Sequence, residues 1–595
     1  MDQFKKSISA AIRKPVVAAA LSFLFPGLGQ AAAGDRNRGL IVSIPIFGVI
    51  AAFLLIVIFD RGSLLGLAVN QQWLTSLLIL DVVALLYHVW AIVDSYRVAS
   101  KIQSKGRRRT SATTPWGAVM AIVLIVSGAL AIHGAVAKVD MDWQHALYCI
   151  TARTPCWLTD NPNATGTLTY ADPGDNGDPI DPNGSGSPTA STSTGPLTSF
   201  DPSGLPTFHA DDAVNWAEDG QLNVLIIGAD FEANTSRSGL RPDTMIVAHV
   251  DLSSGKAALI GVPRNNVCVP LPQDVAQHYA TAHNGCPASS WAGRGGISTG
   301  ELNWLAQEAA NHPANFPSYP QSMSQGDQWY RGALATEQAV GTLLGLAIDG
   351  YVTLNLSGLS TLIDDLGGID INVPQQVYDR PCGSSGTTWA QPGPWGKAYV
   401  CAGDVHSGYA VPGDFSNVQK MIDDAANSGG LQSISWHGSY SSKDDKTSIA
   451  FTIKPGLQHM DGNWTLAYAR TRKFAPGADF GRMKRQQLVI QAMRKTFDPC
   501  TILPKVPGLI QHIGDAFNTN LPIADAPQWA KLGQRILGGN LKMIVLDPAS
   551  TGESFIAGYP AIDGTSWAKI KGIVAHSLDS VPAATSGGNG GGLGC

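Results

Sequence analysis

Charge is scarce in this sequence of 595 residues. Asp, Glu, Lys and Arg together make up 15% of it, and hydrophobic residues make up 44%. A typical soluble domain is about 25% charged. The length allows several domains, and a membrane-embedded portion would account for the missing charge.

Cysteine is absent from the first 148 residues, and no CxxC pair occurs anywhere. The lack of a CxxC pair argues against a zinc site. An even number of cysteines in an exported region instead favours disulfides. Sequence does not fix their connectivity, and we expect local pairs. The eight cysteines fall into four neighbouring pairs: Cys149 and Cys156, Cys268 and Cys286, Cys382 and Cys401, and Cys500 and Cys595.

Several common catalytic motifs are also absent. The chain has no Walker A sequence, no GxSxG elbow and no HExxH motif. P-loop nucleotide hydrolysis, α/β-hydrolase chemistry and zincin-type proteolysis therefore have no support.

Long apolar runs mark the N-terminal part, residues 1–138, as a membrane region. Runs at 40–59, 73–95 and 116–136 are long enough to span a bilayer as helices. The second run is interrupted by Asp81, His88 and Asp94.

The orientation of these spans follows from the basic loop 96–110, which we place in the cytoplasm. Everything after residue 136 is then extracytoplasmic. Residues 15–34 have basic flanks on both sides and a Pro26-Gly27 break, so we expect a re-entrant or interfacial segment there.

The exported part divides by composition. Residues 139–210 form a linker rich in Pro, Gly, Ser and Thr, and residues 211–500 form a globular domain with an insertion at 380–450. Residues 501–595 form a C-terminal extension that ends in a flexible Gly-rich tail. Alternating strand-like and helix-like runs predict an α/β sandwich with a central mixed sheet. The strands are expected at 222–230, 244–252, 256–264 and 369–374, and the helices at 337–348, 356–367, 460–470 and 479–497.

Positive charge collects in the segment "LAYARTRKFAPGADFGRMKRQQ" (466–487), where six Lys or Arg face one acid, Asp479. Further arginines, Arg241 and Arg264, stand beside predicted strands, with Asp230 and Asp243 close to the first of them. Arginines bind phosphate groups bidentately, and Mg²⁺ bridges carboxylates to phosphate oxygens. These residues suggest a magnesium–pyrophosphate site, although helix caps and surface ion pairs would give the same pattern.

Six motifs in order make residues 222–490 resemble the LytR-CpsA-Psr family. They are "NVLIIGAD", "RPDTMIVAHVD", "GVPRN", "YVTLNLSGLSTLIDDLGGIDINVP", "IKPGLQHMDGNWTLAYARTRK" and "DFGRMKRQQLVI". The resemblance implies an extracytoplasmic α/β/α domain behind a membrane anchor, in a Gram-positive or actinobacterial type of envelope. Such a domain transfers a glycopolymer from a polyprenyl-pyrophosphate carrier to peptidoglycan and forms a phosphodiester. Nucleic acid is not expected as a partner.

The resemblance also assigns roles to individual residues. Asp230 and Asp243 match the magnesium-associated acids. The catalytic arginines would be Arg264, Arg470, Arg472 and Arg482. The pyrophosphate would be bound by these four together with Arg241, Arg485 and Gln486.

One position departs from the family pattern. Asn265 stands where the family's "PRD" motif has Asp. Because an amide carries no charge and cannot act as a base, a non-catalytic envelope scaffold or regulator that binds polyprenyl-phosphate lipids stays open as an alternative. A carrier pyrophosphatase, with water as the acceptor, is a third option.

Overall fold

The fold is described from a computed structural model. It describes residues 14–59, 67–104, 116–159, 220–229, 242–254, 256–279, 286–291, 300–379, 387–393, 396–401, 409–411, 415–439, 447–471, 475–496, 505–522, 541–547 and 564–581. The chain divides into two compact units. The N-terminal unit comprises Met1–Leu147 and Pro522–Ala530, and the main unit comprises Tyr148–Leu521 and Lys531–Cys595.

The N-terminal unit is helical. Two helices, Gln71–Ser104 and Trp116–Thr151, are long and apolar enough to cross a membrane. The predicted span at 40–59 is also helical. Residues 15–34 form two short helices separated at Gly27, whose left-handed φ of +98° favours glycine. The helices are α1 Pro15–Leu24, α2 Leu28–Ala33, α3 Arg36–Phe59, α4 Gln71–Ser104 and α5 Trp116–Thr151, the last of which runs on into the main unit.

Asp94 on α4 is buried but has charged and polar partners. Its carboxylate accepts from Arg38 Nε at 2.9 Å and Nη2 at 2.6 Å, and from Gln30 Nε2 at 3.1 Å. Gln30 lies on α2 and Arg38 on α3. This buried acid therefore links the broken 15–34 segment and α3 to the long helix α4.

The main unit is built on a six-stranded mixed sheet. The strand order is β15-β6-β1-β2-β3-β16. The β1–β6 and β3–β16 pairs are parallel and the other neighbours antiparallel. The predicted strands at 244–252 and 256–264 pair as the antiparallel hairpin β2–β3. The strands are β1 Gln221–Ala229, β2 Pro242–Asp251, β3 Ala257–Gly261, β4 Val269–Pro270, β5 Ser290–Trp291, β6 Gly350–Asn355, β7 Ile369–Val373, β8 Val377–Asp379, β9 Thr387–Gly393, β10 Gly396–Cys401, β11 Tyr409–Val411, β12 Gln432–Ser439, β13 Thr447–Ile453, β14 Gly456–Met460, β15 Phe517–Thr519 and β16 Leu541–Val545.

Helices cover both faces of this sheet, which confirms the α/β/α sandwich. Val247, Ile260 and their neighbours on one face pack with α8, α9 and α15, while α13 packs across the other face at Gly261. The four predicted helices are confirmed as parts of α9, α10, α12 and α13. The helices of this unit are α6 Cys156–Thr159, α7 Gln273–Ala276, α8 Leu302–Asn311, α9 Gln325–Leu344, α10 Leu356–Asp365, α11 Phe415–Asn427, α12 Gly462–Arg470, α13 Ala478–Thr496, α14 Val506–Ala516 and α15 Gly564–Asp579.

The sequence boundaries shift at both ends of the main unit. Trp157 and Leu158, which composition places in the 139–210 linker, are buried in the core of this unit. The C-terminal extension supplies β15 and β16, the two outermost strands of the sheet. Core packing therefore begins before and ends after the 211–500 limits.

Two of the four expected disulfides are confirmed, Cys149–Cys156 and Cys268–Cys286. Cys382, Cys500 and Cys595 lie outside the described residues. The 380–450 insertion contributes β9 to β13 and α11, and its strand β13 pairs with β8 of the domain.

Glu337 on α9 gives the fold an expected pH dependence. Burial raises the pKa of its carboxyl to about 8, whereas the unfolded chain has a value of about 4.3. Above the unfolded value, the folded state keeps a proton that the unfolded state has lost. Stability therefore falls as the pH rises from about 4 to about 8.

Replacing Glu337 with glutamine is expected to remove this loss. The amide keeps a carbonyl acceptor for Asn520 Nδ2, which lies 3.2 Å from Oε2 in the native chain. Thermal unfolding should show a Glu337→Gln variant more stable than the native protein at pH 8, with the difference disappearing toward pH 4. An equal difference at both pH values would contradict this account.

Candidate functional site

The candidate site forms where two strands of the sheet meet. Antiparallel pairing brings the start of β2, with Asp243, next to the end of β3, which leads into Arg264. Arg264 is 5% exposed, and its Nη1 pairs with Asp243 Oδ1. The strand order thus unites two predicted site residues that are 21 positions apart in sequence.

The first turn of α13 adds a second acid–arginine pair. Arg482 Nη2 lies 2.8 Å from Asp479 Oδ1 and donates to the Asp243 carbonyl at 3.4 Å. Asp479 Oδ1 also lies 3.9 Å from Arg264 Nε. Two guanidinium groups and two carboxylates therefore alternate in one cluster. The name "arginine–aspartate cluster" is used below for Asp243, Arg264, Asp479 and Arg482.

A tight turn orients this end of α13. Gly477, with a φ of +77°, directly precedes the helix. The Gly481 N–H donates to the Gly477 carbonyl at 2.8 Å. A Cβ at Gly481 would lie 1.9 Å from the Pro476 carbonyl oxygen. Only glycine fits at this position, and the tight turn aims Asp479 and Arg482 at the sheet.

Arg485 lies one turn further along α13 and is buried. Its Nε donates to the Tyr468 carbonyl at 2.8 Å, its Nη1 donates to the Pro476 carbonyl at 3.3 Å, and its Nη2 donates to the Thr471 carbonyl. Burial lowers the pKa of Arg485 to about 10. The three nitrogens thus bind carbonyls at the end of α12, directly after it and before α13, close in sequence to Arg470.

Two glutamines fix α13 against the sheet. Gln486 Nε2 donates to Thr244 Oγ1 at 2.6 Å, and Gln487 Nε2 donates to the Ile544 carbonyl at 2.8 Å. At Gly261 a Cβ would lie 3.0 Å from Met483 and 3.1 Å from Gln487. The absence of a side chain there lets the helix approach closely enough for Arg482 to reach β2.

The loop that carries Arg264 is held by the N-terminus of α8. The Leu302 N–H donates to the Asn266 carbonyl at 2.7 Å, and the Asn303 N–H donates to the Arg264 carbonyl at 3.1 Å. These N–H groups have no partner within their own helix. Sequence reasoning missed this support, because nothing in the local pattern connects Asn303 with a residue 39 positions earlier.

The remaining predicted site residues are placed as follows. Arg470 is half-buried in the last turn of α12. Asp230, Arg241 and Arg472 lie outside the described residues. The structure therefore brings Asp243, Arg264 and Arg482 together. The Gln486 side chain instead binds Thr244 on β2.

The chemistry of the cluster fits an oxyanion and a hard cation. The guanidinium groups of Arg264 and Arg482 lie against carboxylates in this structure, and their paired N–H groups match the oxygens of a pyrophosphate equally well. Asp243 offers carboxylate oxygens, which Mg²⁺ prefers. The donor set is thus suitable for a magnesium-bound pyrophosphate.

Comparison with known proteins supports the family resemblance. The model of the LytR_cpsA_psr family matches residues 318–395 and 403–562. Over these residues the chain is similar to the LytR-CpsA-Psr family, as its motifs predict. The matched residues include Arg470, Asp479 and Arg482, whereas Asp243 and Arg264 precede them.

Individual relatives match over parts of their length. Regulatory protein MsrR of Staphylococcus aureus (strain COL) is 36% identical over 117 residues, which are 19% of this chain and 32% of MsrR. The polyisoprenyl-teichoic acid–peptidoglycan teichoic acid transferase TagV of Bacillus subtilis (strain 168) is 22% identical over 257 residues, 42% of this chain and 49% of TagV. The match thus spans about a third of MsrR and about half of TagV. The crystal structure of B. subtilis TagV aligns with a TM-score of 0.33 at 19% identity, covering 61% of this chain and 98% of that chain.

Proposed function

We propose that this protein is a membrane-anchored phosphotransferase that moves a glycopolymer from a polyprenyl-pyrophosphate carrier to peptidoglycan. The observation that carries the proposal is the arginine–aspartate cluster. It places two buried guanidinium groups at one end of the sheet of a LytR-CpsA-Psr domain. The activity of the family and the name of the relative TagV support the same reaction.

In the proposed reaction, a hydroxyl of peptidoglycan attacks the phosphorus next to the sugar. A new phosphorus–oxygen bond forms, the bridging bond of the pyrophosphate breaks, and polyprenyl phosphate leaves. The hydroxyl loses its proton. Arg264 and Arg482 would offset the negative charge that accumulates on the phosphoryl oxygens, aided by Arg470 and Arg472.

Magnesium is part of the proposal. Asp243, with Asp230, would hold the ion, which when bound would neutralise pyrophosphate charge. Within the described residues Asp243 pairs with Arg264. If the guanidinium of Arg264 bound a phosphate group, the carboxylate oxygens of Asp243 would be available to bind a hard cation.

Chelation of divalent cations is expected to abolish transfer, and added Mg²⁺ is expected to restore it. The measurement is product formation by the full-length protein with a lipid-pyrophosphate glycan and peptidoglycan, with and without EDTA. Unchanged transfer in EDTA would contradict magnesium dependence while leaving the transferase proposal standing.

The membrane arrangement is likewise proposed. Helices α4 and α5 are long enough to cross a bilayer, and the basic loop 96–110 favours a cytoplasmic side for their connection. We place the LytR-CpsA-Psr domain outside the membrane, where lipid-linked donor and peptidoglycan are accessible. The anchor would be multi-pass, with α3 as a further span.

A non-catalytic scaffold is the alternative, favoured by Asn265. Its Oδ1 is buried and has no hydrogen-bond partner within the described part of the chain. Incubation of the protein with donor, acceptor and Mg²⁺ separates the two functions. Binding of the donor without any product would favour the scaffold. Release of a free glycan phosphate, with water as the acceptor in place of peptidoglycan, would favour a carrier pyrophosphatase.

A further inference from the structure

Each of the two long apolar helices carries a histidine at its midpoint. His88 is the 18th of the 34 residues of α4, counted from Gln71, and His133 is the 18th of the 36 residues of α5, counted from Trp116. His88 lies within the predicted span 73–95, and His133 lies toward the end of the predicted span 116–136. Ionisable residues inside a membrane-crossing segment are costly and usually functional.

Both histidines belong to one chain of contacts inside the N-terminal unit. His133 Nδ1 lies 2.7 Å from Asp81 Oδ1, and His133 Nε2 lies 3.3 Å from His88 Nδ1. His88 Nε2 lies 2.9 Å from the carbonyl oxygen of Phe23, in the last turn of α1. Asp81 and His133 are 17% and 16% exposed. The chain therefore joins α4, α5 and the end of α1.

The outer contacts fix where the ring protons lie. A carboxylate and a carbonyl are acceptors only, so His133 Nδ1 and His88 Nε2 must each carry a hydrogen. If both rings were neutral, the inner nitrogens would be two lone pairs facing each other at 3.3 Å. Two half-buried acceptors without a donor between them are unfavourable.

One additional proton resolves this conflict. It turns the inner contact into an N–H···N hydrogen bond, and its positive charge offsets the carboxylate of Asp81. Three contacts then hold three protons, and the chain is neutral overall. Shifting the proton toward Asp81 changes neither the count nor the net charge.

We propose that Asp81, His133 and His88 form a proton-binding site within the N-terminal unit, the inner histidine contact holding the bound proton. The site stores a proton and does not conduct it onward, because the Phe23 carbonyl cannot accept a proton and pass it on. A transition metal would need about four ligands, and this pair offers two nitrogens.

Other ionisable groups on the same elements have different contacts. Tyr87 donates to the Val42 carbonyl, Arg38 pairs with Asp94, and Lys138 pairs with Asp142. Helices α1 and α2 contain no ionisable residue. The full set on α3, α4 and α5 besides the proton site is Arg36, Arg38, Tyr87, Asp94, Tyr96, Arg97, Lys101, Lys138, Asp140, Asp142, His145, Tyr148 and Cys149, the last in a disulfide.

Loss of the bound proton has a structural consequence. The chain would carry one negative charge, and the two inner nitrogens would repel each other. The link between α5 and His88 would open, while His88 stays bonded to the end of α1. Proton uptake and release would thus control how α5 is tied to α4 and, through His88, to the end of α1.

Nitrogen NMR of the full-length protein in lipid nanodiscs, with ¹⁵N-labelled histidine, tests the proposal. At pH 7 the pair should show one ring nitrogen without hydrogen, together with coupling across the inner contact. Replacing Asp81 with asparagine should expel the proton, so that a second bare nitrogen appears and the coupling is lost. Replacing His88 with glutamine should also abolish the coupling.

Tyr87→Phe is the matched control, because it removes a hydrogen bond from the residue next to His88 and should leave the coupling intact. Two bare nitrogens in the native protein at pH 7, with no coupling across the inner contact, would overturn the proposal. Uptake of one equivalent of added Zn²⁺ by the pair, with loss of the shared proton, would overturn it in favour of a metal site.

Discussion

Replacing Arg264 with lysine is expected to lower the rate of glycopolymer transfer by about 100-fold or more, the usual effect of losing one donor that stabilises transition-state charge. Lysine keeps the charge but lacks the planar fork that matches phosphate. It also keeps a cation beside Asp243 and Asp479, so the variant should fold. The measurement is the initial rate of product formation with saturating donor.

Two companion variants make this result specific. Arg264→Ala should lose at least as much activity, and should also unfold more easily because two carboxylates are left without their shared guanidinium. Lys484→Ala is the control on α13. Lys484 is exposed and pairs with Asp547 at 3.0 Å, so its removal should change rate and stability little. A native rate in Arg264→Lys would contradict the assignment.

Replacing Arg485 with methionine is expected to destabilise the main unit by about 3 kcal/mol or more, because charge-assisted hydrogen bonds contribute about 1.5–3 kcal/mol each. Three backbone carbonyls of the α12–α13 connection would lose their donor. Denaturant unfolding followed by tryptophan fluorescence measures the effect. Trp464 on α12 is buried in this region and reports on its unfolding.

A matched variant on the same helix separates structure from ligand binding. Arg494→Met removes the same side chain two to three turns further along α13, where the arginine is only partly buried, and should have a much smaller effect. If Arg485→Met instead leaves unfolding unchanged and abolishes donor binding, Arg485 is a pyrophosphate ligand, as the family resemblance implies, and the structural account is wrong.

Much of the fold could be predicted from the sequence because its cues are local. The hairpin of β2 and β3 follows from two apolar runs around a short polar turn. The helices α12 and α13 are predicted from the helix-like runs at 460–470 and 479–497. The family motifs then supply the mixed sheet and its α/β/α layers.

The strands β15 and β16 could not be predicted from local pattern. β15 is only three residues long. β16 joins the sheet by parallel pairing with β3, which lies almost 300 residues earlier. Composition likewise predicts a linker at Trp157. Its burial is not predicted from the local sequence, because it depends on a core formed by distant residues. Long-range contacts of this kind leave no periodic signal.

The candidate site shows the same division. Residue type and motif order indicated Asp243, Arg264 and Arg482, and the structure brings these side chains together. The structural role of Arg485 could not be predicted, because an arginine that binds backbone carbonyls and one that binds phosphate look alike in sequence. The positive segment at 466–487 thus contains an internal support, Arg485, beside a cluster member, Arg482.

The most direct test of the proposed function follows a single phosphorus atom. The donor is a polyprenyl-pyrophosphate glycan labelled with ³²P at the phosphorus next to the sugar, and the full-length protein receives it with peptidoglycan and Mg²⁺. The proposed transfer predicts that the label becomes covalently attached to peptidoglycan while unlabelled polyprenyl phosphate is released. Label that stays on the intact carrier, or that appears on a free sugar phosphate, would contradict it.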